Sequence, residues 1–229
     1  MEKYLKILAA VVCAALLAGA AWAAPKAMTD LEKRSYAIGA NVGRNLKQQG
    51  VGVDPALIAK GLVEEMDGKS LLSDAEVAAL MQQFKDEVQL KQVADRRKST
   101  TENKQRGEAF LAENAKKDGV KTLRGGRQYR VLQAGTGDKP TDDSIVMCNY
   151  RGTLVDGKEF DASPPGKPAS FRVSKVIPGW REALKQMPVG SKWELVIPAG
   201  MAYGERGAAP AIGPNETLVF EVELVGIKD

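Results

Sequence analysis

The sequence contains no histidine in its 229 residues, and it has two cysteines and few aromatic residues. Without an imidazole, a Ser-His-Asp triad, a Cys-His pair and histidine-based zinc sites are excluded, and nothing in the sequence predicts a cofactor or a metal. Charged residues of both signs are interspersed and leave a formal charge of +4. This pattern offers no stripe suited to nucleic acid or to an anionic membrane surface.

Residues 1–23 have the pattern of a secretory signal peptide. Lys3 and Lys6 form a basic start, residues 7–20 are apolar and alanine-rich, and Ala21-Trp22-Ala23 matches a small-x-small cleavage site. We expect cleavage after Ala23 and export across the inner membrane. The mature chain would then have no membrane span, because the apolar run is too short for a permanent anchor. Residence in the periplasm, at the outer membrane or on the cell surface remains open.

Export leaves Cys148 as the only cysteine, since Cys13 lies in the signal peptide. A single cysteine cannot form an intrachain disulfide. Its neighbours in 145–150 alternate like a strand, so a small buried hydrophobic side chain is favoured over a reactive or intersubunit thiol.

Residues 28 to about 118 have helical periodicity, and three N-terminal signatures predict three helices. Two are capping boxes and one is an N-cap followed by proline: Thr29 with Glu32, Ser73 with Glu76, and Asp54-Pro55. Apolar stripes follow each start: Leu31, Ile38, Val42 and Leu46; Ile58, Leu62 and Met66; Val77, Leu80, Met81, Phe84 and Val88. Gly50 and Gly68 fit the ends of the first two helices.

The first two helices are too short to bury a stable core alone. We therefore predict an interleaved homodimer, in which Gly39 and Gly43 allow close backbone approach. Two alternatives stay open. The glycines can be merely tolerated weak helix formers, and the apolar stripes can pack against the C-terminal half of the same chain.

The apolar stripe of the third helix stops after Val93. Glu-to-Lys or Glu-to-Arg pairs four residues apart nevertheless predict one continuous helix of about 45 residues with a solvated second half. Gly107 weakens this interpretation, and the alternative is a flexible charged linker.

From about Lys121 the pattern changes to short strands separated by Gly, Pro and Asp. Six strands are predicted, at 128–133, 145–153, 158–161, 170–173, 192–197 and 217–227, with a hairpin turn at Asp156-Gly157 and one short helix at 180–186. The fold class is therefore α+β, with an antiparallel sheet wrapped around one short helix.

Several motifs in this half resemble the FKBP-type, or tacrolimus-binding, peptidyl-prolyl cis-trans isomerases. They are Asn149-Tyr-Arg-Gly152, Gly157-Lys-Glu-Phe-Asp161, Val176-Ile-Pro-Gly-Trp180, Ala202-Tyr-Gly204 and the strand Thr217 to Leu224. The N-terminal half is similar to the macrophage infectivity potentiator subgroup. After the signal peptide at 1–23, the resemblance implies an all-α dimerisation domain at 24–72, a long connecting helix at 73–120 and an isomerase domain at 121–229. It also implies a V-shaped homodimer.

The resemblance implies a pocket whose members divide into catalytic and substrate-binding residues. The catalytic set is Tyr150, Phe160, Asp161, Ile177, Trp180, Tyr203 and Phe220, and the substrate-binding set is Phe171, Val176 and Ile212. Trp180 would form the floor under the proline ring. The Tyr203 hydroxyl and the Ile177 N–H would donate to substrate carbonyls, and Asp161 would face the twisted amide.

The chain departs from the family in two places. The arginine that often follows the Phe-Asp pair has no counterpart in 162–167, so no polar partner of Asp161 is predicted. Ala169 replaces an aromatic residue of some relatives, and the loop 208–212 carries alanine where some have a larger side chain.

The implied activity is isomerisation of X-Pro bonds in unfolded or partly folded secreted proteins, with a chaperone role and binding of tacrolimus or rapamycin-type macrolides. The alternative is a non-enzymatic periplasmic holdase or adaptor that keeps the pocket without the activity.

Overall fold

The computed structural model describes residues 28–228, so the predicted signal peptide lies outside the described residues. The described chain contains four α-helices: α1 (Asp30–Gln49), α2 (Pro55–Met66), α3 (Asp74–Asn114) and α4 (Pro178–Leu184). Two compact units divide at Gln82 and Gln83, within α3. None of the described helices is long and apolar enough to cross a bilayer.

The predicted helix starts are confirmed by their hydrogen bonds. Thr29 and Glu32 form the reciprocal capping box of α1, and the same pairing of Ser73 with Glu76 opens α3. The Asp54 carboxylate caps α2 by accepting from the N–H of Ala56 at 2.8 Å. The caps accept hydrogen bonds from N–H groups of the first helical turn, which have no carbonyl of a preceding turn to donate to.

The apolar stripes of α1 and α2 are exposed in the described part of the chain, and no residue of either helix is buried there. Leu31 is 67% exposed, Ile38 60% and Leu62 60%. Isolated helices of this length are marginal in water, because most helix stability in proteins comes from packing an apolar face. The exposed stripes therefore call for a partner surface.

Helix α3 runs unbroken for 41 residues, which confirms the continuous helix and contradicts the flexible linker. The expectation that its second half is a solvated arm is wrong. Asn103, Gly107 and Asn114 are buried there. The contacts are polar, which is why an apolar periodicity did not predict them.

The C-terminal half forms one antiparallel sheet of seven strands. They are β1 (Val120–Thr122), β2 (Gln128–Gln133), β3 (Ile145–Leu154), β4 (Glu159–Ala162), β5 (Ala169–Arg172), β6 (Lys192–Ile197) and β7 (Leu218–Lys228). Their order is β1-β2-β6-β7-β3-β4, and β5 pairs with β3. The six predicted strands are confirmed, whereas β1 was not predicted.

Helix α4 packs on the sheet and places Trp180 in the core. Gly179 allows this approach, because a Cβ at that position would overlap the Ile197 side chain of β6. Arg181 holds the other side of the helix by donating twice to Asp142, at 2.8 Å from Nε and 2.8 Å from Nη2. This bidentate pair lowers the pKa of Asp142 from 3.8 to about 2.

Cys148 lies fully buried in β3, as the strand pattern predicted. Burial raises the pKa of its thiol to about 12, since a thiolate would lose its hydration there. The thiol is therefore part of the core.

Candidate active site

A cavity of about 300 Å³ opens between α4 and residues of the sheet. Its lining residues are Tyr150, Phe160, Asp161, Phe171, Lys175, Val176, Ile177, Trp180, Tyr203 and Phe220. All of the predicted site residues are thus brought together except Ile212, which is buried in the core and does not line the cavity. Lys175 was missed, although it directly precedes the Val176-Ile177 motif.

Trp180 stands at the centre of an aromatic cage. Its ring centroid lies 5.3 Å from that of Phe220, 5.4 Å from that of Tyr150 and 5.5 Å from that of Phe171, all with edge-to-face geometry. Such pairs are favourable beyond the area that they bury. The rings are fixed by one another, so the floor and walls of the cavity are preformed.

Gly152 of β3 allows the two phenylalanine walls to meet. Phe160 and Phe220 pack edge to face at 5.5 Å. A Cβ on Gly152 would lie 2.7 Å from Cζ of Phe160 and 2.9 Å from Cε1 of Phe220, closer than carbon atoms approach without displacement. Gly152 belongs to the Asn149-Tyr-Arg-Gly152 motif, but sequence reasoning did not assign it a role at the site.

Asp161 has a partner that the sequence did not reveal. The Tyr150 hydroxyl donates to its Oδ2 at 2.7 Å. Burial, followed by this hydrogen bond to a carboxylate, raises the pKa of the Tyr150 phenol above its usual value. The phenol therefore stays protonated and keeps donating over the physiological range of pH. The partner of Asp161 is thus a neighbouring wall residue.

Ile177 and Tyr203 border the cavity from two different elements. Ile177 directly precedes α4, whose first residue is Pro178, so the turn that carries it is fixed by the start of the helix. Tyr203 follows the 3-10 turn Ala199–Met201 and is 41% exposed. Ile177 is partly buried against the core, and Tyr203 reaches toward solvent.

The cavity can bind, orient and desolvate, but it holds no pair suited to nucleophilic attack. Its ionisable side chains are Tyr150, Asp161, Lys175 and Tyr203. Groups of three or more metal-ligating side chains are absent from residues 28–228. The arrangement fits a reaction in which no covalent bond is made or broken.

Comparisons with known proteins agree with this geometry. Residues 137–225 match the family model of the FKBP-type peptidyl-prolyl cis-trans isomerases, and residues 31–131 match the domain amino terminal to FKBP-type peptidyl-prolyl isomerase. The chain is 45% identical over 202 residues to the Outer membrane protein MIP of Legionella longbeachae, covering 87% of each chain. It is 40% identical over 215 residues to the peptidyl-prolyl cis-trans isomerase Mip of Coxiella burnetii, covering 93% of this chain and 94% of the relative.

The solved structure of FkpA from Escherichia coli superposes with a TM-score of 0.70 at 41% identity, covering 87% of this chain and 97% of that one. An isomerase from Pseudomonas syringae pv. tomato superposes with a TM-score of 0.54 at 43% identity, covering 57% of this chain and 96% of that one. The likeness therefore extends from the helical half through the sheet and its cavity. The chain belongs to the FKBP-type peptidyl-prolyl cis-trans isomerases of the Mip and FkpA kind, and it is an enzyme that isomerises X-Pro peptide bonds.

Proposed function

We propose that the aromatic cavity is the site of isomerisation and that its residues have the roles implied by the resemblance. Trp180 forms the floor under the proline ring, and Tyr150, Phe160 and Phe220 form the walls. The single observation that carries this proposal is the closed set of edge-to-face rings around Trp180. Phe171 and Val176 complete the lining, while substrate contact by Ile212 remains a prediction.

The task of this site is to lower a rotational barrier of about 18–20 kcal/mol. A planar amide is more polar than a twisted one, so water favours the planar ground state and an apolar cage reduces that preference. Acceleration also requires tighter binding of the twisted bond than of the planar one. The Tyr203 hydroxyl and the Ile177 N–H hold the carbonyls on either side of the bond, and Asp161 faces the twisted amide.

Proline-limited refolding of a protein substrate tests these roles. We expect Tyr203→Phe and Phe160→Ala to lower kcat/KM by at least about tenfold, which corresponds to ~1.4 kcal/mol of transition-state stabilisation. Tyr129→Phe is the matched control, because Tyr129 stacks on Trp193 outside the cavity. Wild-type kcat/KM for both cavity variants would contradict the proposed roles.

We also propose that residues 24–72 form a dimerisation domain, that residues 73–120 connect it to the isomerase domain, and that a second copy covers the apolar stripes. The uncovered apolar faces of α1 and α2 support this assignment. A Cβ on Gly39 or Gly43 would meet nothing within 4 Å in the single chain, which leaves room there for another backbone. Both glycines lie on α1.

The oligomeric state of Val42→Glu and Leu62→Glu tests the dimer by analytical ultracentrifugation. We expect both variants to sediment as monomers, because each buries a charge in the proposed interface. Gln48→Glu adds the same charge at an exposed polar position and should remain dimeric. A wild-type protein that sediments as a monomer would refute the dimer, and cover by the same chain's C-terminal half would then be favoured.

We propose that the substrates are proline-containing segments of unfolded or partly folded exported proteins, met in the periplasm or at the outer membrane. Two sites in one dimer would retain a client by avidity and provide a chaperone role. The variant Leu62→Glu separates the two activities. It should isomerise a short proline peptide at the wild-type rate but suppress the aggregation of a protein client less well. Equal suppression would argue against a role for the dimer.

The same cavity is proposed to bind tacrolimus or rapamycin-type macrolides. A macrolide seated on Trp180 should quench or shift its fluorescence and compete with a proline peptide. Absence of competition at saturating macrolide would refute shared use of the cavity.

A further inference from the structure

The second half of α3 holds the segment that carries Tyr203 into the cavity. We call residues 203–217 the wall segment; it connects the 3-10 turn Ala199–Met201 to β7. Arg96 donates through Nη2 to the carbonyl oxygen of Glu205 at 2.8 Å and of Arg206 at 3.3 Å. These bonds fix the outgoing limb of the wall segment, two and three residues beyond Tyr203.

The returning limb of the wall segment is held by the next turns of the same helix. Asn103 donates to the Pro214 carbonyl at 2.8 Å. The Arg106 guanidinium donates to the two carboxylate oxygens of Glu216 at 3.1 and 3.3 Å. Asn103 is 7% exposed and Glu216 is 7% exposed. A buried carboxylate deprived of its cation is costly, so this pair fixes the position of the limb firmly.

Gly107 brings the helix axis close to the start of β7. A Cβ at Gly107 would overlap Thr217 Oγ1 and lie 3.0 Å from Thr217 Cβ. Arg96, Asn103 and Gly107 recur at intervals of seven and four residues and therefore share one face of the helix. This face, completed by Arg106, is a polar docking stripe with partners more than 100 residues away in the chain.

The wall segment is also closed on itself. Ala208 and Ile212 exchange two backbone hydrogen bonds of 2.9 Å, and the Asn215 N–H donates to the Gly204 carbonyl at 2.9 Å. The two limbs therefore move as one unit. A helix that fixes both limbs fixes Tyr203 as well.

We propose that the docking stripe of α3 positions Tyr203 for catalysis, so that Asn103 and Arg106 act as positioning residues although neither lines the cavity. This inference rests on the proposed role of the Tyr203 hydroxyl. Without the stripe, the wall segment samples other arrangements, and the fraction of enzyme with a correctly placed hydroxyl falls. The floor and the phenylalanine walls are also held by their own edge-to-face contacts, so we expect substrate still to bind.

The test uses full-length protein and a short proline peptide, with kcat and KM measured separately. We expect Asn103→Ala to lower kcat about tenfold, ~1.4 kcal/mol, while KM changes by less than about twofold because ground-state binding is retained. Gln105→Ala is the matched control on the exposed face of the same helix. Equal kcat for Asn103→Ala and Gln105→Ala would overturn the proposal.

A double-mutant cycle identifies Tyr203 as the group through which Asn103 acts. In a Tyr203→Phe background, Asn103→Ala should lower kcat by no more than about threefold, because coupled residues are not additive. The same tenfold loss in both backgrounds would overturn the proposal. A wild-type rate for Tyr203→Phe alone would refute the proposed hydroxyl role, and the comparison of Asn103→Ala with Gln105→Ala would then decide whether the stripe matters to catalysis.

Hydrogen exchange separates positioning from general loss of stability. In Arg106→Gln, which removes the charge of a half-exposed side chain, the amides of Gly207, Ile212 and Asn215 should exchange at least about fivefold faster than in wild type, whereas those of β6 should not change. Faster exchange of both regions by the same factor would show global destabilisation and overturn the proposal.

Discussion

Replacement of Gly107 by alanine has two opposing effects on the stability of the protein. Alanine in a helix interior is more favourable than glycine by roughly 0.5–1 kcal/mol. The new methyl group would overlap the Thr217 hydroxyl, however, and overpacking of a tight contact costs about 1–3 kcal/mol. Because the overlap with the hydroxyl is severe, we take the upper half of this range, about 2–3 kcal/mol. The net effect of Gly107→Ala is then a fall of about 1–2.5 kcal/mol in the free energy of unfolding of the C-terminal unit.

Urea denaturation followed by tryptophan fluorescence measures this effect. Trp180 and Trp193 both lie in the C-terminal unit, and Trp22 belongs to the predicted signal peptide, so the signal reports that unit. A slope of roughly 2 kcal/mol/M would convert the loss into a fall of about 0.5–1.25 M in the midpoint. Gly200→Ala is the control, because a Cβ there meets nothing within 4 Å, and its midpoint should not move.

The partner substitution shows whether the overlap is the cause. In a Thr217→Ala background the hydroxyl is gone, so Gly107→Ala should cost little, and the two changes should couple by about 1 kcal/mol or more. A higher urea midpoint for Gly107→Ala in the wild-type background would refute the close contact between helix and strand. Equal losses in both backgrounds would refute its assignment to Thr217.

Three further predictions concern the site and its support. Gly152→Ala should displace the two phenylalanine walls and lower kcat/KM at least about tenfold, measured on a proline peptide; an unchanged kcat/KM would contradict the tight packing. Asp142→Asn should lower the melting temperature at neutral pH. Because Arg181 depresses the folded-state pKa of Asp142, the difference from wild type is present above about pH 4 and disappears as the pH falls through about 2; a difference that is constant with pH would contradict it. Cys148 should resist a thiol reagent until the protein unfolds, because it is buried with a pKa of about 12; rapid labelling of native protein would contradict its burial.

Local signals predicted the elements of this fold well. Capping boxes at Thr29 and Ser73 define helix starts because the bonds involved span only three residues. Period-two alternation predicted the long strand β7 because one of its faces packs against the core. These patterns depend on neighbours in sequence, so a single sequence contains the information.

The same local patterns could not predict contacts between segments that are distant in the sequence. The docking stripe is polar, and its partners are mainly carbonyl groups, which leave no trace in the identity of the residues that carry them. Gly107 was counted against the helix, although it is the position at which the helix meets β7. The signal that could have indicated the docking stripe is the recurrence of polar residues and a glycine at helical spacing in a segment without apolar residues.

The site residues were predicted from motifs that resemble a family more than from periodicity or composition. The residues implied by the resemblance line the cavity, apart from Ile212, but the motifs gave no partner for Asp161. Its hydrogen bond to Tyr150 crosses from β4 to β3, and only the pairing of the two strands places the two side chains side by side. Lys175 and Gly152 were missed for a similar reason, because neither residue type suggests an aromatic pocket by itself.

The bond network between α3 and the sheet bears on how this enzyme can be shortened for drug screening. Asn114 donates to the Gln128 amide oxygen at 2.9 Å, and Gln128 in turn donates to the Leu111 carbonyl at 2.8 Å, so the helix also satisfies the polar groups of β2. A catalyst trimmed to residue 121 would expose these amides together with the Glu216 carboxylate. Inhibitor affinities measured on such a fragment would therefore refer to a less rigid cavity than that of the whole enzyme.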